Sequence, residues 1–323
     1  MDTVLESVSL ADAYDALHES AIVVDRSDLG ILKFMGETRL DLINRMSTQA
    51  VAQLQSGEGA ATVLTTDIGR MIDRLLLYTS SEAVYALTGE NNAEDVGRYL
   101  MRFVFFQDDF HIEDLSEETA VLAVYGPQAA ERLRPLFGDA VDLPLHHWRQ
   151  LEAADTIAYL HRTDPIAGGG YFVMGDVDDK AALWEQLVDA GITPADEQTF
   201  EYARIEAGLP RFGREITEDY IPLEAGLWDD VSFNKGCYTG QEIIARMESR
   251  GRLARKLVRL RATESVAPGD DIEVDGRSAG TITSASGGPR GVLALGYVKT
   301  RALGDGDAAL SAGETTLELL SSS

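Results

Sequence analysis

The sequence contains a single cysteine, Cys237, among 323 residues. No disulfide can therefore form within the chain, and one thiol is typical of proteins of the reducing cytoplasm. It also lacks any apolar run of the roughly 18–20 residues that a membrane-spanning helix needs. Residues 1–10 lack the basic region and the apolar core of a signal peptide. The composition therefore predicts a cytoplasmic protein that makes no use of a membrane.

Lysine is scarce, with five residues among the 28 basic ones, whereas Asp and Glu together number 54. The net charge of −26 predicts an acidic, well-solvated surface. Such a surface suits the salt-rich cytoplasm of a halophile, where ions screen the self-repulsion of the chain. An ordinary acidic protein is the alternative. Either way, this charge disfavours broad binding to nucleic acids or anionic membranes at low salt.

The sequence lacks the residue patterns of a metal site and of a dinucleotide-binding site. The histidines His146, His147 and His161 form no i, i+4 pair, and no cysteine or glutamate framework of ligand spacing lies near them. We therefore predict no metal site. The glycines at 168–170 do not form a GxGxxG pattern between a strand and a helix, so no dinucleotide-binding fingerprint is present.

Short strand and helix patterns alternate along the chain, which predicts an α+β fold with antiparallel sheets. Residues 61–65 and 71–78 are typical of a β-hairpin around a turn at 67–70. Residues 200–207 have the pattern of a helix that Gly208 ends. Residues 251–323 alternate short strands with glycine-rich turns, which predicts a small antiparallel β-barrel. The expected domains are residues 1–138, 139–250 and 251–323.

Cys237 lies where a loop is predicted to become a helix. Thr239 and Glu242 have the T-x-x-E spacing of a capping box, which marks a helix start. We therefore expect Cys237 just outside a helix N-terminus, with Lys235 two residues before it. Positive potential from both would favour the thiolate. The alternative is that this lone cysteine is a small buried hydrophobe.

The run KGCYTGQE at residues 235–242, followed by IIAR and by Arg250 and Gly251, resembles the signature of the YgfZ family of folate-binding proteins. That family is related to the aminomethyltransferase (GcvT, T-protein) of the glycine cleavage system. Two further motifs support the resemblance, RIEAG at 204–208 and PLEAGL at 222–227. The resemblance covers nearly the whole chain. It implies a three-lobed fold, with two α+β domains around a central folate pocket and a C-terminal β-barrel.

The resemblance also implies roles for two carboxylates. The family's glutamate in the RIEAG motif holds the pterin of tetrahydrofolate, which puts Glu206 in that role. A carboxylate can accept two parallel N–H bonds from an aminopyrimidine edge; the alternative is a surface glutamate paired with Arg204 or Arg211. Aminomethyltransferases carry an Asp-Asp pair in the hairpin, at the positions of Asp73 and Arg74 here. Asp73 alone remains as a candidate pocket acid, unless it is a solvent-facing strand residue.

The cysteine motif points to the YgfZ branch, since the glycine cleavage enzyme lacks it. That branch implies a tetrahydrofolate-binding accessory protein for the assembly or maintenance of iron–sulfur proteins, with Cys237 as its functional thiol. Lys235, Tyr238 and Arg246 are then expected beside the folate. The alternative is a folate-dependent aminomethyltransferase or another one-carbon transferase, against which Arg74 counts. A third reading is a binding module for a different ligand.

Basic residues cluster around the start of the last predicted domain, namely Arg246, Arg250, Arg252, Arg255, Lys256, Arg259 and Arg261. Such a cluster is suited to the anionic glutamyl tail of folate. It is also suited to RNA, because the resemblance links members of the family to transfer-RNA modification. The alternative is a basic face that pairs with neighbouring acids.

Overall fold

The computed structural model describes residues 7–153, 156–250, 253–303 and 309–322. Its helices are α1 (Leu10–Glu19), α2 (Arg39–Met46), α3 (Ala93–Met101), α4 (Ala129–Phe137), α5 (Lys180–Asp189), α6 (Glu197–Ala207), α7 (Gln241–Arg250) and α8 (Thr300–Leu303). Its strands are β1 (Ile22–Asp25), β2 (Leu29–Met35), β3 (Gly59–Thr65), β4 (Met71–Thr79), β5 (Ala83–Glu90), β6 (His111–Asp114), β7 (Thr119–Tyr125), β8 (Trp148–Ala153), β9 (Thr156–Ile166), β10 (Gly169–Asp176), β11 (Thr193–Pro194), β12 (Arg255–Ala262), β13 (Asp271–Val274), β14 (Arg277–Gly288), β15 (Gly291–Lys299), β16 (Leu310–Ala312) and β17 (Thr315–Ser322). None of these helices is long and apolar enough to cross a membrane.

Two sheets and a barrel organise the described strands. One sheet has the order β11-β1-β7-β10-β9-β8, and the other has the order β3-β4-β5-β2-β6. Every pairing is antiparallel except that of β1 with β11. The predicted hairpin at 61–78 is confirmed as β3 and β4, and the predicted helix at 200–207 lies within α6.

The alternation of side chains along the strands builds four layers. In β1, Ile22 and Val24 face the second sheet, whereas Val23 faces helices α4 and α5. In β4, Tyr78 faces the first sheet, whereas Leu77 packs with residues of α2 and α3. Each sheet is therefore apolar on both faces, and the two sheets enclose an inter-sheet layer. This layer holds the candidate site.

The C-terminal strands close into a barrel of order β12-β15-β14-β13-β16-β17, which leaves none of its described strands with a free edge. The predicted α+β fold with a small antiparallel barrel is confirmed. A shared apolar cluster that includes Tyr202, Ile205 and Tyr297 packs the barrel against α6. The barrel therefore supports the helix that borders the site.

The first sheet contains strands from both of the first two predicted domains. Strands β1 and β7 come from residues 1–138 but pair with strands from residues 139–250. The barrel strands all lie after residue 250. The boundaries at residues 138 and 250 stay a prediction.

Candidate functional site

A cavity of about 320 Å³ opens at one end of the inter-sheet layer, and we call it the central cavity. Its wall comes from β2, β4 and β5 of one sheet and from β7, β9 and β10 of the other. The β1–β2 turn, α6 and the loop segments at 208–216 and 225–230 complete it. The apolar part of the wall includes Leu76, Phe172 and Phe200. The charged residues of the wall are Arg26, Asp73, Arg74, Glu90, Asp164, Arg204, Arg211, Asp229 and Asp230. Apolar walls with a few convergent polar groups are typical of small-molecule sites.

Arg74 crosses the inter-sheet layer between two carboxylates. Its Nη1 donates to Asp164 Oδ2 of β9 at 2.7 Å, and its Nε donates to Asp230 Oδ2 at 2.6 Å. Burial opposes its charge, but the two carboxylates outweigh that effect and raise the pKa of Arg74. Although burial favours the protonated acid, the Arg74 charge holds the pKa of Asp164 below its usual range. The three side chains therefore form a charged, hydrogen-bonded group in the cavity wall.

Asp73 is the neighbouring residue on β4 and also lines the central cavity. It is 1% exposed, so the solvent-facing alternative is wrong. Its carboxylate accepts hydrogen bonds from the N–H of Gly89 at 2.9 Å and from Asn92 Nδ2 at 2.8 Å. Burial outweighs these bonds and raises the pKa of Asp73 to about 6. Asp73 can therefore carry a proton close to neutral pH.

Two arginines and one aromatic ring form another part of the wall. Arg26 lies 4.0 Å from the centre of the Phe200 ring, which is a cation–π distance. Arg26 and Arg211 both donate to Glu90 Oε1, at 2.6 and 2.7 Å. Arg211 also contacts Glu197 and Glu201 of α6. These contacts fix the guanidinium groups in place at the cavity.

Arg204 links the cavity wall to the barrel. It is 1% exposed and donates to Glu215 Oε2 at 2.8 Å and to Glu201 at 3.0 Å. Glu215 is fully buried and also accepts from Thr283 and Ser284 of β14 at 2.6 and 2.7 Å. Because these buried charges are paired and hydrogen-bonded, they can hold α6 against the barrel.

Glu206 lies outside the central cavity. Its carboxylate accepts from the Tyr14 hydroxyl at 2.6 Å, lies 2.8 Å from His18 Nε2, and has Arg290 Nη1 at 3.8 Å. These partners come from α1 and the β14–β15 turn, and Glu206 is not part of the wall of the central cavity. Each residue advances a helix by about 100°, so Glu206 is about 200° around α6 from Arg204. The structure therefore does not bring Glu206 and Asp73 together at the cavity.

Cys237 is exposed, so the buried-hydrophobe alternative is wrong. The loop that carries it is anchored by Lys235, whose Nζ donates to the carbonyls of Asn44, Ser47 and Gln49 at 2.6, 2.8 and 2.6 Å. Burial lowers the pKa of Lys235 to about 8. The ammonium group therefore caps the C-terminal end of α2.

The residues after Cys237 continue this anchoring. Tyr238 is 7% exposed, packs with Ile221 and Ile244, and has Lys235 Nζ at 5.2 Å from its ring centre. At Gly240, φ is +83°, and a Cβ there would lie 2.7 Å from the carbonyl oxygen of Thr66. Glycine is therefore required where this loop crosses the β3–β4 turn.

The expected capping box does not form among the described contacts. Helix α7 begins at Gln241, the Thr239 hydroxyl lies 3.7 Å from Met46 Sδ, and Glu242 accepts from Arg246 at 2.6 Å. The spacing predicted a helix start correctly within two residues. The side chains at Thr239 and Glu242 find other partners because α2 packs against the loop.

Several members of the predicted basic cluster have partners. Arg246 pairs with Glu242, Arg261 donates to Glu318 Oε2 at 2.8 Å, and Arg259 donates to Ser321 and to the carbonyl of Glu206. Arg252 and the Arg250 side chain lie outside the described residues. A role of the cluster in binding a folate tail or transfer RNA stays a prediction.

Sequence reasoning missed Arg26, Asp164, Arg211 and Asp230 as wall residues. Each belongs to a different part of the chain, and none stands in a local motif. Of these residues, only Arg211 enters the expectations from the sequence, as an alternative partner for Glu206. The sequence signal that could have pointed to a wall residue is local charge, as in the adjacent acids Asp229 and Asp230.

Family models match almost the whole chain. The GCVT N-terminal domain model matches residues 6–235, and the CAF17 C-terminal β-barrel domain model matches residues 255–322. The chain belongs to the YgfZ/GcvT family. The resemblance predicted from the three motifs is therefore confirmed.

Individual relatives agree with this membership. The chloroplastic protein At1g60990 of Arabidopsis thaliana is 29% identical over 95% of this chain and 72% of its own length. The aminomethyltransferase of Symbiobacterium thermophilum is 30% identical over 90% of this chain and 81% of its own. The crystal structure of the glycine cleavage system aminomethyltransferase T of Bartonella henselae matches with a TM-score of 0.83 at 21% identity, covering 96% of this chain and 87% of that one. This structural match shows the shared fold.

Proposed function

We propose that this protein binds tetrahydrofolate in the central cavity and acts as a YgfZ-like accessory protein for iron–sulfur proteins. The observation that carries the proposal is the cavity itself. It lies within the region that the GCVT domain model matches and combines an aromatic ring with fixed arginines and carboxylates. A pterin is flat and has N–H donors and a carbonyl acceptor on its edges, which such a wall can satisfy.

A second proposal is that Glu206 holds the pterin. This position of the pterin is different from one in the central cavity, so the two proposals can be tested separately. Glu206 is already hydrogen-bonded to Tyr14 and lies beside His18. A ligand that uses Glu206 would have to displace these contacts. A ligand that uses the central cavity would leave them in place.

A calorimetric titration of tetrahydrofolate distinguishes the two sites. Leu209 is partly exposed and lines the central cavity, so Leu209→Trp narrows the cavity, whereas Leu209→Met nearly conserves its volume. Binding in the cavity predicts that Leu209→Trp weakens affinity at least about tenfold, a loss of about 1.4 kcal/mol, while Leu209→Met changes it little. Unchanged affinity in Leu209→Trp, together with a loss in Glu206→Gln, would move the pterin to Glu206.

We also propose Cys237 as the functional thiol of the accessory role. Its exposure and the anchored loop around it support this assignment. Thiolates are nucleophiles and soft metal ligands, so an exposed, fixed thiol suits work on iron–sulfur proteins. Cys237→Ala should spare folding and tetrahydrofolate binding but lose the activity of iron–sulfur enzymes in cells that depend on this protein. Full enzyme activity with the alanine variant would remove the role of the thiol.

A folate-dependent aminomethyltransferase is the second candidate, and the aminomethyltransferases among the relatives favour it. It requires an acid at the reacting nitrogen, and Asp73, with its pKa of about 6, is the candidate. By the resemblance of the hairpin, Arg74 takes the position of the second aspartate of these enzymes, and its guanidinium group is held by Asp164 and Asp230, so no carboxylic acid stands at that position. Tetrahydrofolate-dependent turnover of a methylamine donor, lost in Asp73→Asn, would support the enzyme; no turnover would exclude it.

A further inference from the structure

Exposed apolar side chains gather around the loop at 228–240, which carries Cys237. Among the described residues, nine large apolar side chains are exposed, and six of these lie within this loop or on segments that contact it. We call these six the apolar surface, and they are Ile68, Met101, Phe105, Phe106, Trp228 and Phe233. Single exposed apolar residues are common, whereas a concentration of them that is rich in aromatic rings is typical of a protein–protein contact.

The two exposed phenylalanines are joined to the loop through α2. They lie in a turn that Asp108 closes, since its Oδ2 accepts from the N–H of Phe105 at 2.8 Å. The other oxygen of Asp108 accepts from Arg45 Nη2 of α2 at 3.0 Å. The carbonyl of Arg45 accepts from the N–H of Thr239 at 3.2 Å. Arg45 therefore connects this turn to the residue two positions after the cysteine.

Met101 and Ile68 reach the same loop by other routes. Met101 ends α3, and Tyr99 of this helix donates its hydroxyl to the carbonyl of Thr65 at 2.9 Å. The hydroxyl of Thr65 in turn donates to a backbone carbonyl of the loop at 2.7 Å. Ile68 lies in the β3–β4 turn, which the loop crosses at Gly240. Both side chains therefore lie beside the loop.

Trp228 and Phe233 belong to the part of the loop that precedes the cysteine. They are 40% and 39% exposed, and their ring centres are 6.3 Å apart. Lys235 follows them and is anchored on three carbonyls at the end of α2. Pairs of exposed aromatic rings therefore adjoin the loop both before and after Cys237.

The charges at the border of the apolar surface indicate what kind of partner fits it. The exposed acids within three positions of its members are Asp67, Asp109 and Asp229. The exposed bases in the same range are Arg102 and Arg98, and Arg98 is already paired with acids of its own helix. The border is therefore mainly acidic, and two copies of a chain with a net charge of −26 repel each other. A partner with basic residues around an apolar contact surface is favoured over a second copy.

We propose that the apolar surface is the docking site for an iron–sulfur protein whose own contact surface is apolar with a basic border. Docking there brings the cluster of the partner, or the residues that bind it, to Cys237. This inference rests on the accessory role proposed above and adds the surface that recognises the partner. Exposed Trp and Phe side chains are suited to this task, because large aromatic residues carry much of the binding energy of protein interfaces.

The test uses the whole protein and, as the probe, a purified iron–sulfur enzyme whose activity falls in cells that lack this protein. The double variant Phe105→Ser, Phe106→Ser removes two exposed rings and should weaken binding to the probe at least about tenfold. The matched control Leu145→Ser, Ile157→Ser changes two exposed apolar side chains before β8 and on β9, and it should leave binding unchanged. Because all four side chains are exposed, both variants should keep the native melting temperature and tetrahydrofolate affinity.

The activity of the same enzyme in cells separates this inference from the accessory role. Cys237→Ala and the double phenylalanine variant should both lower that activity, and the control should not. A loss with Cys237→Ala, together with full activity and full binding in the phenylalanine variant, would overturn the docking site and leave the accessory role standing. Full activity with Cys237→Ala would overturn the accessory role itself.

Sedimentation of the whole protein tests whether a second copy covers the apolar surface instead. We expect a monomer for the native protein and for the phenylalanine variant at the salt concentration of the binding assay. A native dimer that the phenylalanine substitutions dissociate would contradict the proposal, because the apolar surface would then be a contact between copies of this chain.

Discussion

Asp73 makes the stability of this protein depend on pH in a way that can be calculated from its surroundings. Burial raises its pKa from 3.8 to about 6, although Asn92, Gly89 and Arg74 donate to its oxygens. A difference of about 2 pKa units corresponds to about 3 kcal/mol. Because the folded state binds the proton more tightly than the unfolded state, Asp73 lowers the stability of the fold as pH rises from about 4 to about 6 and keeps it lowered above that range.

The variant Asp73→Asn removes this titration and keeps the size of the side chain. We expect the difference in unfolding free energy between the variant and the native protein to shift by about 3 kcal/mol in favour of the variant between pH 4 and pH 8. Urea unfolding at several pH values measures this difference directly. The absolute stability of the Asp73→Asn variant at pH 4 is a separate quantity, since the new amide group must face the donors that the native carboxylate accepts from.

Asp25→Asn serves as the matched control with the opposite sign. Although burial favours its protonated form, the contacts with Lys180 and Ser27 outweigh burial and lower the pKa of Asp25. Its contribution to stability is therefore present above the unfolded pKa and is lost at lower pH. Parallel pH profiles for Asp73→Asn and the native protein would refute the reasoning, because they would mean that Asp73 titrates alike in both states.

Glu215→Gln leaves Arg204 without one of its buried carboxylates and should cost about 3 kcal/mol of unfolding free energy; a loss under about 1 kcal/mol in urea unfolding would contradict the role of this pair. Lys235→Met removes the ammonium group from three carbonyls at the end of α2, so it should cost about 2 kcal/mol of unfolding free energy; an unchanged value in urea unfolding would show that Lys235 does not hold the loop. Because the net charge is −26, the melting temperature should rise between 0.1 and about 2 M KCl as screening reduces self-repulsion; a constant or falling value would contradict adaptation to salt.

Local patterns were enough to predict the elements that depend on neighbouring residues. The β3–β4 hairpin and the barrel strands follow from alternation and glycine-rich turns, and both are present. The pairing of β1 with β7 and β11 was not predictable in this way. It joins residues about 100 to 170 positions apart in the sequence, and no local pattern encodes such a partner.

The residues of the candidate site were also only partly predictable from the sequence. Motif resemblance put Glu206 at the pterin, but a single sequence does not say which face of α6 borders the cavity. Phe200 and Arg204 are one turn apart and face it, whereas Glu206 faces α1. The wall residues Asp164 and Asp230 come from separate loops and strands, and only the folded chain brings both to Arg74.

A crystal structure of the protein with tetrahydrofolate tests the central claim most directly. The account predicts electron density for the pterin in the central cavity, within contact distance of Phe200 and the carboxylates around Arg74. Density for the pterin beside Glu206 and His18, with the central cavity free of ligand at saturating concentration, would contradict it.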